Sequence, residues 1–104
     1  MADFADRVRI KATEDTVRLG FAGREGQVFG WTTPSSTGVS VIGEAIEDSA
    51  INVHFDDLNA GFWFAEEHVE IVDHGAGTVM SLDGHDFEWV RLPDGGWEQR
   101  PRSV

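Results

Sequence analysis

A chain of 104 residues is the size of one domain, with apolar side chains enough for a single core. At 40% apolar and 26% charged residues and with no cysteine, the composition excludes wholesale disorder, disulfide stapling, thiol catalysis and thiolate metal sites, so the fold stands on packing alone. The net charge of −11 is unevenly spread: residues 1–33 balance, whereas from Pro34 to Val90 there is no Lys or Arg and every formal charge is a carboxylate. Such a stretch repels a phosphate backbone and keeps a surface solvated. No signal-peptide pattern opens the chain and no apolar run approaches a membrane span, so a cytoplasmic protein is expected.

Taken in order, Arg7 to Lys11 alternates charged and apolar side chains, the pattern of a strand with one buried face, and predicts Val8 and Ile10 inward. Phe4, in the lead-in, is placed to tuck onto the end of the fold. Ala12 to Ala22 carries no sustained helical stripe; we read it as a meandering loop, locally extended from Thr16 to Leu19, that Val17 and Leu19 pin to the core. Gly23 and Gly26 mark a tight turn. A second strand runs from Glu25 to Thr33 and stops at Pro34, which has no N–H to give a ladder.

Pro34 to Gly38 is a turn cluster, and Val39 to Gly43, extending toward Ile46, resumes alternation as a third strand. Ala50 to Phe55 is a fourth, with Ile51, Val53 and Phe55 on one face and Asn52 and His54 on the other. After a polar break, Phe62-Trp63-Phe64 opens a short turn-like segment, and His68 to Val72 forms a fifth strand with Val69 and Ile71 inward. His74 to Gly77 is a hinge with little to pack. Thr78 to Leu82 and Asp86 to Leu92 flank Asp83-Gly84-His85 as a hairpin, Pro93 to Gly96 returns Trp97 against it, and Gln99 to Val104 frays. The pattern predicts an all-β fold: a five-stranded small barrel over residues 1–73 and a C-terminal β-hairpin extension and tail over 74–104, the hairpin either lengthening the barrel sheet or supplying a second docking edge.

The succession of first strand, long loop, Gly23-x-x-Gly26-x-Val28, Pro-containing turn, aromatic segment ending in Trp63-Phe64 and last strand at Val69-Glu70-Ile71-Val72 resembles an SH3-like small barrel. Gly23 to Val28 resembles the core of a KOW-type motif. The resemblance spans residues 5–73 and implies a platform that binds RNA, DNA or protein peptides through its loops and barrel face. KOW-type domains that engage nucleic acid do so through basic residues around the loops, for which Arg7, Arg9, Lys11, Arg18 and Arg24 are the candidates here.

For a protein partner the candidates are Trp31, Phe62, Trp63 and Phe64, near the loops that border the groove of SH3-like barrels, with Asp56, Asp57 and Glu66 beside them. Flat rings match a polyproline helix and carboxylates attract a basic one; the competing role for these rings is to fill the core. His54 with Asp56 and His68 with Glu70 share strand faces at a chelating spacing, but the two strands are not ladder neighbours in an SH3-like order, so no metal or cofactor is expected. No nucleophile elbow, H-E-x-x-H or phosphate loop occurs, and no catalytic residue is expected. The expectation is a non-enzymatic module docking a basic or proline-rich protein partner. A KOW-type nucleic-acid accessory domain is the alternative, and an acidic DNA mimic a third.

Overall fold

The computed structural model describes residues 2–102. Strict alternation builds the strands Arg7–Ile10 and Ala50–Phe55, whose inward residues form the centre of the core. In chain order the elements are β1 (Arg7–Ile10), α1 (Glu14–Leu19), β2 (Glu25–Thr32), α2 (Pro34–Thr37), β3 (Val41–Ile42), β4 (Ala50–Phe55), β5 (Ala60–Ala65), a 3₁₀ turn (Glu66–His68), β6 (Val69–Asp73), β7 (Val79–Ser81), β8 (Phe87–Arg91) and β9 (Trp97–Pro101). The fold is all-β in character: a six-stranded sheet ordered β3-β5-β4-β2-β1-β6 and a three-stranded sheet ordered β7-β8-β9. Val8, Ile10, Val28, Ile51, Val53, Phe55 and Phe64 meet inside the first sheet, with Phe21, Ile42, Phe62 and Val69 packed around them. Each fully buried Val, Ile or Phe contributes about 1.5–3 kcal/mol.

Several expectations are corrected. Residues Glu14–Leu19 are helical, not extended, because the Thr13 side chain accepts from Thr16 N–H, the Thr16 side chain returns the bond to Thr13 N–H, and Gly20 ends the turn at φ 83°. Thr16 is the buried residue, its hydroxyl donating to Lys11 O at 2.6 Å, while Val17 and Leu19 face solvent. Pro34–Thr37 closes into a helical turn capped by Gly38, and β3 shrinks to two residues running parallel to β5.

The segment Phe62-Trp63-Phe64 is not a turn. It is the middle of β5, paired antiparallel along all of β4 through the turn Asp56–Asn59, with Asn59 at φ 47°. β6 pairs only with β1 at the sheet's edge; Ile71 opposes the buried Val8 and so faces the core side, but at this rim it stays 46% exposed. Gly75 is buried against the Ala5 carbonyl with no room for a Cβ, so the expected loose hinge is a packed one. The C-terminal part forms its own sheet and does not lengthen the first: Trp97–Pro101 adds to β8 as a third strand, and Arg102 N–H donates to Asp86 O at 2.8 Å. Gln99 to Arg102 is therefore not frayed; Ser103 and Val104 lie outside the described residues.

Candidate docking surface

The ladder between β2 and β4 slips between Val28 and Gly30: Val28 opposes Val53, Gly30 opposes Asn52, and Phe29 is the extra residue. A bulge bends its strand and re-aims the side chain it carries. Here it lays the Phe29 ring on His54, with centroids 4.6 Å apart and planes 2° from parallel. Asn52 and His54 lie on the outer side of β4, opposite the buried Ile51, Val53 and Phe55. Phe29 is 51% exposed and serves no core.

From Phe29 the contacts run on across the seam between the sheets. Phe4 lies 6.4 Å from Phe29 and stacks on Trp97 at 6.0 Å, and the Arg91 guanidinium sits 5.1 Å over the Trp97 ring. At the opposite end His54 Nε2 is 3.6 Å from Asp56, whose side chain is 100% exposed. Register adds Trp63 to this outer face, since Asn52 opposes Gly30 on one side and Trp63 on the other. A Cβ at Gly30 would meet nothing within 4 Å, whereas one at Gly61 would fall 2.7 Å from Asn52 Oδ1. Gly30 therefore leaves open space on this face, while the Asn52 side chain covers Gly61.

Arg91 and Asp6 hold the seam together from behind. Asp6 Oδ1 accepts from Arg91 Nη2 at 2.6 Å and lies 2.9 Å from His74 Nδ1, its Oδ2 accepts from Asp3 N–H, and Arg91 also donates to the carbonyls of His74 and Gly95. Burial by itself pushes the Asp6 carboxyl up, but the bonds from Asp3, His74 and Arg91 and the Arg91 charge outweigh it, and the group stays below its ordinary value of 3.8.

No family model, curated protein or solved structure matches the chain.

The expected contact residues separate. Trp31 is 60% exposed but opposes Ile51, which places it on the other side of the sheet from Trp63 and Asn52. Phe64 is fully buried and Phe62 packs on Phe21 at 5.0 Å, so both belong to the core. Asp56 ends the aromatic tract, Asp57 binds Arg24 at 2.9 Å, and Glu66 borders a separate cavity of about 250 Å³ with Ala2, Ile51, Val69 and Ile71.

Among the basic candidates, Arg9 is held by Glu25 at 3.0 Å and Glu70 at 3.4 Å, Arg18 by Asp15 at 2.8 Å, and Arg24 by Asp57. The hydrogen bond from Arg9 to Glu25, with that carboxylate's charge, raises the guanidinium pKa further. Lys11 is exposed just beyond β1, and Arg7 lines a cavity of about 270 Å³ with Asp73, His74 and Pro93 at the junction of the two sheets. Among the described residues no group of three or more His, Cys, Asp or Glu is placed to hold a metal ion, and no helix is long and apolar enough to cross a membrane. Phe4, Phe29 and Trp97 were not legible as one surface from sequence; the local signal was Phe29, an aromatic on the solvent phase of its strand.

Proposed function

We propose that the protein is a non-enzymatic docking module that holds an extended, basic segment of a protein partner on the outer face of β5, β4 and β2. Phe4, Phe29, His54, Trp63 and Trp97 are its contact surface. The observation that carries this reading is the exposed pair Phe4 and Phe29, backed by the half-buried His54 and Trp97 rings stacked on them, none of which fills the core. Exposed contiguous aromatics mark interaction surfaces. β4 and β5 lie within the stretch where every formal charge is a carboxylate, so the field favours a cationic partner.

Two further features support kinship with SH3-like barrels. Beside the edge strand β3 the first sheet runs β5-β4-β2-β1-β6, and a 3₁₀ turn precedes β6, which returns to pair with β1. A KOW-type nucleic-acid role fits less well. Phosphates would have to displace carboxylates already bound to Arg9, Arg18 and Arg24 and approach an anionic protein.

Fluorescence anisotropy with labelled basic, proline-rich and acidic peptides, and with short RNA and DNA, tests the proposal. Basic peptides are expected to bind, to weaken as salt rises, and to lose at least about tenfold in affinity with Phe29→Ala while the circular dichroism melt is unchanged. Nucleic acid binding in preference to peptides, or peptide binding indifferent to Phe29→Ala, would refute it.

A further inference from the structure

The protein already shows how its rings take up a guanidinium. Arg91 lies over Trp97 at 5.1 Å while its N–H groups reach the Asp6 carboxylate and the carbonyls of His74 and Gly95. That is a planar cation held by an aromatic face on one side and oxygen acceptors at its edge. The solvent end of the same tract offers both components again. Phe29 and His54 present stacked rings, and Asp56 stands beside them with its side chain in water.

The Asp56 carboxylate, with its side chain fully exposed, is free to accept a cation. The His54 ring lies beside it, but its Nε2 at 3.6 Å is beyond hydrogen-bonding distance. The adjacent Asp57 is already matched by Arg24 at 2.9 Å, which leaves Asp56 as the unbalanced negative charge of the β4–β5 turn. Gln27 and Gly61, the residues opposing His54 on β2 and β5, bring no charge to the same place.

We infer that this end of the tract is a site for an arginine side chain of the partner, stacked on the Phe29–His54 rings and donating to Asp56. The inference rests on the docking function proposed above and narrows it to one cation. A lysine ammonium is a compact, strongly hydrated point charge; it gains from the carboxylate but has no plane to stack and no fork to fill both carboxylate oxygens. Arginine gains from both.

The test uses one basic peptide in three forms, with Arg, Lys or citrulline at a single position, titrated against the full chain by anisotropy with amide chemical-shift mapping. The Arg form is expected to bind about tenfold tighter than either of the others, with shifts centred on Phe29, His54 and Asp56. Asp56→Asn, at a fully exposed side chain, should remove the Arg preference, and Trp63→Ala should weaken all forms alike. Equal affinity of Arg and Lys forms, or an Arg preference that survives Asp56→Asn, overturns the arginine site and leaves the docking surface standing. Binding by none of the forms, or shifts confined to another face, overturns the docking surface and the arginine site with it.

Discussion

At Gly26 one carbon decides whether β2 can lie against β4. A Cβ there would fall 2.6 Å from His54 O and 2.7 Å from Val53 Cγ1, inside any real contact distance. The turn glycine of the pair is Gly23, at φ 80°; Gly26 is needed for close approach instead. Because the crowded atom is the carbonyl of His54, the strain would also reach the ring that carries Phe29. Gly26→Ala is expected to destabilise the protein by about 1–3 kcal/mol, read from urea midpoints. Gly30→Ala, which points its methyl into open space, should stay within about 0.5 kcal/mol of the parent. Equal midpoints for the two variants would mean that β2 and β4 are not packed this closely.

Elements whose two faces differ in polarity were legible, and elements whose faces do not were missed. In β1 and β4 charged or polar side chains alternate with Val, Ile and Phe, so both the strand and its buried face follow from the sequence. β5 reads Phe-Trp-Phe, apolar on both phases, so the alternation that marks a half-buried strand is absent, although its aromatic content suits a strand. α1 is too short to show a stripe and is held by Thr13 and Thr16, a hydroxyl pair in place of the usual acidic partner. Thr16→Val should therefore cost about 1–3 kcal/mol, since it removes a buried donor from Lys11 O, whereas Val17→Thr on the exposed side should change thermal stability by less than about 0.5 kcal/mol. The reverse order would restore the expected extended loop pinned by Val17. The aromatic tract was least legible of all, because Phe4, Phe29, His54 and Trp97 come together only through the bulge and the seam between sheets.

At the scale of the whole molecule the two sheets share one electrostatic clasp, and the aromatic tract crosses directly over it. Phe29 belongs to the six-stranded sheet and Trp97 to the three-stranded one, and Asp6 gripping Arg91 and His74 fixes their separation together with the Gln27–Thr78 hydrogen bond. The backbone of Asp6 is fastened as well, its carbonyl accepting from Val28 N–H at 2.9 Å. Since folding lowers the Asp6 carboxyl below its ordinary 3.8, the clasp contributes its full stability above that value and loses it as pH falls through the lower, folded value. Asp6→Asn removes the charge at every pH and leaves buried Arg91 without its counter-ion, a loss of about 3–5 kcal/mol near neutrality. Urea titrations of the parent and Asp6→Asn proteins between pH 7 and about 2, followed by tryptophan fluorescence, should show a stability gap that is constant above roughly pH 4 and narrows below it. Other carboxylates titrate over the same range in both proteins, and carrying His74→Gln in both removes the other titratable group at the clasp, so the difference isolates Asp6. A gap that stays constant to the lowest pH would show that Asp6 is not held as a carboxylate, and with it the account of how the two sheets keep Phe29 and Trp97 in one surface would fall.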